Sequence, residues 1–354
     1  MTDYSTSAIF SNKKTAFRRA IMHWYTHQAR DLSWRGTRDP YAIWVAEIIL
    51  QQTRVDQGTP YIERFLKQFP TVHTLAEADE DAVLKLWEGL GYYTRARNLH
   101  KAAQHVVEHR QGQLPTNAKE LETLPGVGRY TAGAIASIAF EETAPVVDGN
   151  VKRVLSRLCN CPDNIDTPAT TNAIWEWMTT LVRGKSPGNF NQSVMELGAK
   201  ICTPRNPICT SCPVQRYCLA YAHDTQSTLP VRTPKKKVPH HQIVVAAIKK
   251  NGRYLLGKRP SEGMLGGLWE FPGGKVESGE SHEAALHREI AEELGIRIEI
   301  LDALCTVEHA YSHFKITLHV YTCRQSNGTP TPKAHTELKW VYPKHFEQYT
   351  FPKA

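Results

Sequence analysis

The sequence predicts a multidomain chain, an all-α region followed by an α+β domain, on three observations. Apolar residues recur at helical spacing through most of 13–222. The stretch QSTLPVRTPKKKVPHH (226–241) carries three prolines and a basic run, lacks periodicity and reads as an interdomain linker. Beyond it the pattern turns to short β-rich apolar runs around one helix.

Taken in order, helical periodicity covers 41–55, 82–90, 98–108, 129–140 and 150–158. Asp39-Pro40 reads as an N-cap followed by proline at the first helical position. Asn117 and Glu120 form a capping-type pair. After the linker, Ile243–Ile248, Tyr254–Leu256 and Lys315–Tyr321 read as strands, with a helix at 282–294.

The 354 residues suit two or three domains, and 41% apolar with 22% charged residues suits ordinary globular ones. No apolar run approaches the roughly 20 residues of a membrane span. The opening MTDYSTSAIFSNKK lacks the apolar core of a signal peptide, so a cytoplasmic location is expected, with no membrane partner. The net charge of +8, with Arg232, Lys235, Lys236 and Lys237 together, fits a polyanionic partner, although many enzymes of neutral substrates are as basic.

The stretch LPGVGRYTAGAIASIAFEETAPVVDGN (124–150) carries most information. Gly126 and Gly128 are read as permitting backbone angles closed to other residues, in a turn between two helical patterns. The helix expected from about Arg129 presents unpaired amides that suit a phosphate oxygen. Asp148 stands at the next helix start, where it caps the helix and the dipole favours its ionised form. Upstream, every neighbour of Glu47 from Ala42 to Leu50 is apolar. Such a glutamate either bonds a neighbouring helix or works with a raised pKa. Glu47 neutral near pH 7 beside an ionised Asp148 would make the acid and ion-stabiliser pair that glycosidic cleavage needs.

Four of the eight cysteines, Cys202, Cys209, Cys212 and Cys218, are spaced C-x6-C-x2-C-x5-C. The crowding points to a metal or cluster; the spacing leaves zinc and iron–sulfur both open. Cys159, Cys161, Cys305 and Cys323 read as ordinary small apolar residues. In the last third, Gly274, Glu280, Arg288, Glu289, Glu292, Glu293 and Gly295 complete a Nudix box. Its helix puts Glu289, Glu292 and Glu293 on one face, where Mg²⁺ could bridge them to a diphosphate.

With WVAEIILQQTRV (44–55), GLGYYTRARNLH (89–100), LPGVGRYTAGAI (124–135), VVDGNVKRVLSR (146–157) and the four cysteines, region 13–222 resembles the helix-hairpin-helix DNA glycosylases, specifically adenine DNA glycosylases of the MutY type. The resemblance implies a six-helix barrel (32–141), a cluster-bearing helical domain (1–31 and 142–225) with the active site between them, and a Nudix-like domain (242–354). It implies a 4Fe–4S cluster on the four cysteines, and Mg²⁺ only if the Nudix box is active. It assigns Glu47, Asp148, Tyr130 and Asn150 to catalysis, with Tyr130 supporting the aspartate. Related glycosylase/lyases carry lysine at position 130; a tyrosine forms no Schiff base, so base removal without strand cleavage is implied. Gln52, Tyr92, Gly126, Gly128 and Lys152 would hold DNA, with Gln52 and Tyr92 as wedges. Arg30, Arg35, Leu50 and Gln192 would lie near an adenine pocket. YSHF (311–314) replaces the family's Phe-Ser-His, leaving Tyr311, Ser312 and His313 to read 8-oxoguanine, with Tyr311 able to intercalate. The expected partner is double-stranded DNA with adenine opposite 8-oxoguanine or guanine, bound by a monomer. The alternative is a dual enzyme that also hydrolyses oxidised nucleoside triphosphates, because GGLWEFPGGKVESGE (266–280) also looks like free-standing hydrolases.

Overall fold

The computed structural model describes residues 9, 13–234, 237–311 and 313–354. By its contacts the chain forms two compact units, Met1–Glu77 with Lys101–Pro234, and Ala78–His100 with Lys235–Ala354. Among the described residues, no helix is long and apolar enough to cross a membrane.

The first unit is helical, and its boundaries follow the sequence's punctuation. Asp39 caps helix Pro40–Ile49 by accepting from the amides of Tyr41 and Ala42, with Pro40 at the first position. The periodic run 41–55 is broken, because Gln52 takes a left-handed φ of 57° and a second helix starts at Val55. A left-handed glutamine ends the helical ladder, which periodicity alone does not register. Asn117 caps helix Ala118–Leu121, and its side-chain amide also donates to Glu120 at 2.7 Å. The buried core joins Phe17 and Ile21 of helix Lys14–Gln28 to Val154, Leu155, Phe190 and Val194. Residues 226–234 also pack here: Arg157 donates to the Leu229 carbonyl at 2.9 Å and Ile165 N–H to that of Val231 at 3.0 Å.

Helix Pro187–Lys200 packs against Lys14–Gln28, Arg129–Ala139 and Gly149–Leu158, while Pro40–Ile49 packs against Arg129–Ala139. These pairings gather residues distant in sequence. One close approach is at Gly198, where an added β-carbon would stand 2.6 Å from Asn150 Cβ. A larger side chain there would displace Asn150.

Among its described residues the second unit holds a seven-stranded sheet: β1 (His240–Lys250), β2 (Arg253–Lys258), β3 (Trp269–Glu270), β4 (Gly273–Lys275), β5 (Arg297–Ala310), β6 (Lys315–Asn327) and β7 (Glu337–Val341). The order is β3-β2-β1-β6-β5, with β4 on β1 and β7 on β2. The pair β1–β6 is parallel and the others are antiparallel. Helix His282–Leu294 covers the sheet, burying Ala285, Leu286, Ile290 and Leu294 against Val244, Ala246 and Ile248. The same unit includes helix Glu80–Trp87 and the first residues of Thr94–Arg110.

Candidate active site

Helix packing brings Tyr130 to Glu47. The Tyr130 hydroxyl donates to Glu47 Oε2 at 2.7 Å, and Met195 Sδ lies 3.6 Å from the same hydroxyl. Burial pushes the Glu47 carboxyl up to about 7; the Tyr130 hydrogen bond opposes this, nearby Asp148 adds to it and Arg35 opposes it. Both carboxylate side chains keep part of their surface accessible while their acidic groups sit within protein.

Asp148 caps helix Gly149–Leu158 as the sequence predicts, accepting from Val151 N–H at 2.7 Å and from the Asn150 amide at 2.8 Å. Asn150 is held in turn by Arg153, which donates to its Oδ1 at 2.7 Å. Burial outweighs these donors and the Arg153 charge, so the Asp148 carboxyl also stands above its ordinary range. The helix start alone does not hold it at an exposed value. What separates the two carboxylates is donor number, since Asp148 has several favouring its charge and Glu47 has one. A second expectation is corrected: the Tyr130 hydroxyl supports Glu47, not Asp148.

Beside this pair lies a polar group organised by Glu196, a residue the sequence reading missed. Glu196 is 1% exposed and accepts from Arg30 Nε at 2.8 Å, Arg30 Nη2 at 2.9 Å and Arg35 Nη2 at 3.0 Å. Burial alone would raise its pKa; the hydrogen bonds from Arg30 and Arg35 prevail and bring it down to about 2. Arg35 also lies over the Tyr25 ring at 5.4 Å, and Tyr25 donates to Gln192 Oε1 at 3.1 Å. Arg30, Arg35 and Gln192 therefore belong to one network. Leu50 packs over Gly58, where a β-carbon would lie 2.7 Å from its methyl. The available signal for Glu196 was the same as for Glu47, a glutamate between apolar neighbours, here Met195 and Leu197.

In the hairpin, Gly126 takes φ 74°, which glycine favours, whereas Gly128 has an ordinary extended backbone at φ −92°. The backbone expectation for Gly128 is thus corrected. A β-carbon there would meet nothing within 4 Å, and helix Arg129–Ala139 has no side-chain cap on its first amides. Lys152, expected to face DNA, turns inward, donating to Thr171 Oγ1 at 2.9 Å and to the Ile165 carbonyl at 3.4 Å. Gln52 is exposed on its left-handed turn.

All four clustered cysteines, Cys202, Cys209, Cys212 and Cys218, line one small cavity, with Arg157 donating to Cys202 Sγ at 3.3 Å. Burial and mutual repulsion push Cys212 up to about 12, and Cys218 up to about 11. Among the described residues, no three acidic, histidine or cysteine side chains are gathered closely enough to hold a single metal ion.

In the second unit, Glu289 and Glu293 line a cavity of about 1100 Å³, joined by Glu270 and Arg259. Of the predicted triplet, Glu292 does not line this cavity: its side chain is 61% exposed, and Arg288 pairs with it at 3.3 Å as well as with Glu289 at 3.0 Å. Burial raises Glu293 to about 7, where it accepts from Gly273 N–H at 3.1 Å. Glu270 was missed although it sits between Trp269 and Phe271 in a short strand. At the YSHF turn, Tyr311 is stacked on Phe314 with ring centroids 4.8 Å apart and lines this same cavity, so it is not the projecting ring expected. His313 is exposed instead, while Ser312 lies outside the described residues. Tyr92, also left-handed at φ 49°, meets His313 with ring centroids 6.0 Å apart.

A hairpin with open helical amides, a buried acid next to a capped aspartate, and a Nudix-like sheet domain define a DNA glycosylase of the helix-hairpin-helix class. The model of the HhH-GPD superfamily of base excision DNA repair proteins matches residues 45–180, and that of the NUDIX domain matches 243–354. The chain is 36% identical to the adenine DNA glycosylase of Rattus norvegicus over 92% of its own length and 74% of that protein. It is 35% identical to the Homo sapiens enzyme over 94% and 71%, and 31% identical to that of Schizosaccharomyces pombe over 92% and 84%. Among solved structures it is similar to a thermostable thymine-DNA glycosylase, with TM-score 0.55 and 30% identity over 61% of this chain and 99% of that one. The chain belongs to the adenine DNA glycosylase family.

The Tyr130 hydrogen bond stabilises ionised Glu47, so removing it should raise the Glu47 pKa further. Tyr130→Phe is expected to move the alkaline limb of the excision rate, near pH 7 in the unaltered protein, upward by about one unit. Single-turnover rates between pH 5 and 9 check this; an unmoved or lowered limb contradicts it.

Proposed function

We propose that this protein removes adenine opposite 8-oxoguanine or guanine in duplex DNA and leaves an abasic site. The observation that carries the reading is a carboxyl raised to about 7 at Glu47, hydrogen-bonded by Tyr130 and close to Asp148. A group with pKa near the working pH is suited to giving up its proton in the transition state.

The adenine is first extruded from the stack. Tyr130 occupies Glu47 Oε2, which leaves Oε1 to carry the proton to adenine N7. The bond from C1′ to N9 then breaks, its electron pair going to the base. Asp148, kept in place by Asn150 and Val151, faces the positive charge that develops at the sugar. Water then adds at C1′ and gives up a proton to the Glu47 carboxylate, which restores the acid. Tyr130 has no amine, so no Schiff base forms and the strand stays intact.

Cys202, Cys209, Cys212 and Cys218 fit a 4Fe–4S cluster by their donor set and shared cavity. The cluster would brace the loop that carries Arg205 and Arg216, outside the glycosidic chemistry. DNA would be held through the open amides beyond Gly128, with Gln52 and Tyr92 entering the stack and Ser312 and His313 reading the base opposite adenine.

With a duplex holding one adenine opposite 8-oxoguanine, base loss is expected with strand breakage only after alkali; breakage without alkali overturns the chemistry. Glu47→Gln and Asp148→Asn should each slow excision at least about a hundredfold while duplex binding persists; excision at the unaltered rate in either sinks the assignment. The purified protein should contain four iron atoms per chain, lost on Cys212→Ala. A zinc-bearing, colourless protein contradicts the cluster.

A further inference from the structure

The segment carrying Tyr92 lies inside the stretch matched as glycosylase, 45–180, yet its contacts place it with the Nudix-like sheet. The reason is visible in its side chains. Arg97 is 5% exposed, donating one arm to the Gly266 carbonyl and the other to Thr94 Oγ1 at 3.2 Å. Across the same contact, Lys258 reaches Asp81 at 2.8 Å and Lys85 donates to the Tyr349 carbonyl at 3.1 Å. The latter two are partly solvated and count for little. A buried guanidinium on a carbonyl counts for more, because its loss strands a desolvated acceptor.

Arg97, in the first turn of helix Thr94–Arg110, follows Tyr92 by five residues, and the backbone between them is hydrogen-bonded. Trp87 donates to the Gly91 carbonyl at 3.1 Å, Arg95 N–H to that of Tyr92 at 2.9 Å, and Arg97 N–H to that of Tyr93 at 3.1 Å. The Arg95 guanidinium covers both the Trp87 and Tyr92 rings, at 5.2 and 5.6 Å. At the far end of this braced segment the Tyr92 hydroxyl lies 3.5 Å from His313 Nε2.

We propose that Arg97 is a positioning residue that locks the Tyr92 turn to the Nudix-like domain, so that wedge and YSHF hairpin enter DNA as one element. The inference rests on the reading that this hairpin recognises 8-oxoguanine. Arg97 then acts on the choice of opposing base, through Tyr92 and His313, and leaves the chemistry at Glu47 and Asp148 alone.

Single-turnover excision is measured on full-length protein with adenine opposite 8-oxoguanine and opposite guanine. Arg97→Met should slow the 8-oxoguanine duplex about tenfold or more while the guanine duplex changes less than about threefold. Gly267→Val approaches the contact from the other side, since its φ is +76° and a β-carbon would stand 3.3 Å from Leu84 Cδ1. It should give the same collapse of the ratio. Adding Tyr92→Ala to Arg97→Met should cost no more preference than Tyr92→Ala alone. A preserved ratio in both single variants overturns the proposal, as does an equal fall on both duplexes, which marks a merely destabilised protein. If the unaltered protein itself shows no preference, the reading of the hairpin fails first and the proposal with it.

Discussion

A carboxyl group enclosed by protein must either lose its charge or find donors that keep it charged, and this choice at Glu47 organises the rest of the site. Tyr130 supplies a single hydroxyl, which moderates the effect of burial without cancelling it. More donors would have produced a permanent carboxylate with no proton to give. None would have left an acid too weak to release one. Glu196 shows the other outcome a short distance away: with Arg30 and Arg35 on both its oxygens it is fixed as an anion.

The helices serve this difference in environment. Helix Pro187–Lys200 brings Glu196 to Arg30 and Arg35 from one face and, through Gly198, brings Asn150 close from another. Asn150 then orients Asp148. The reacting carboxylates therefore come from a helix interior and a helix start, with Tyr130 of helix Arg129–Ala139 reaching Glu47 and Asn150 of Asp148's own helix reaching Asp148. In the second unit the Tyr92 segment is joined to the sheet domain by the buried guanidinium of Arg97.

Much of this was legible in the sequence where a residue violates its surroundings. Glu47 among apolar neighbours, Asp148 before a helix and four crowded cysteines each announce a cost that some function offsets. The strand runs and helix His282–Leu294 were legible from periodicity. What was not legible depends on tertiary geometry. No spacing tells that Tyr130 bonds Glu47, that Lys152 turns inward, or that Glu292 stays exposed while Glu270 lines the cavity with Glu289 and Glu293. The left-handed turns at Gln52 and Tyr92 were also hidden, because neither residue advertises positive φ as glycine does. Glu196 carried the same signal as Glu47 and could have been found.

Burial keeps Glu47 protonated up to neutral pH. Carbon-13 NMR of glutamate-labelled protein, with Glu47→Gln identifying the resonance, measures this directly. The Glu47 carboxyl should titrate with a midpoint near 7. A midpoint at the ordinary value of 4.5 would mean that the site holds a carboxylate and no acid at neutral pH, and would rule out Glu47 as the proton donor.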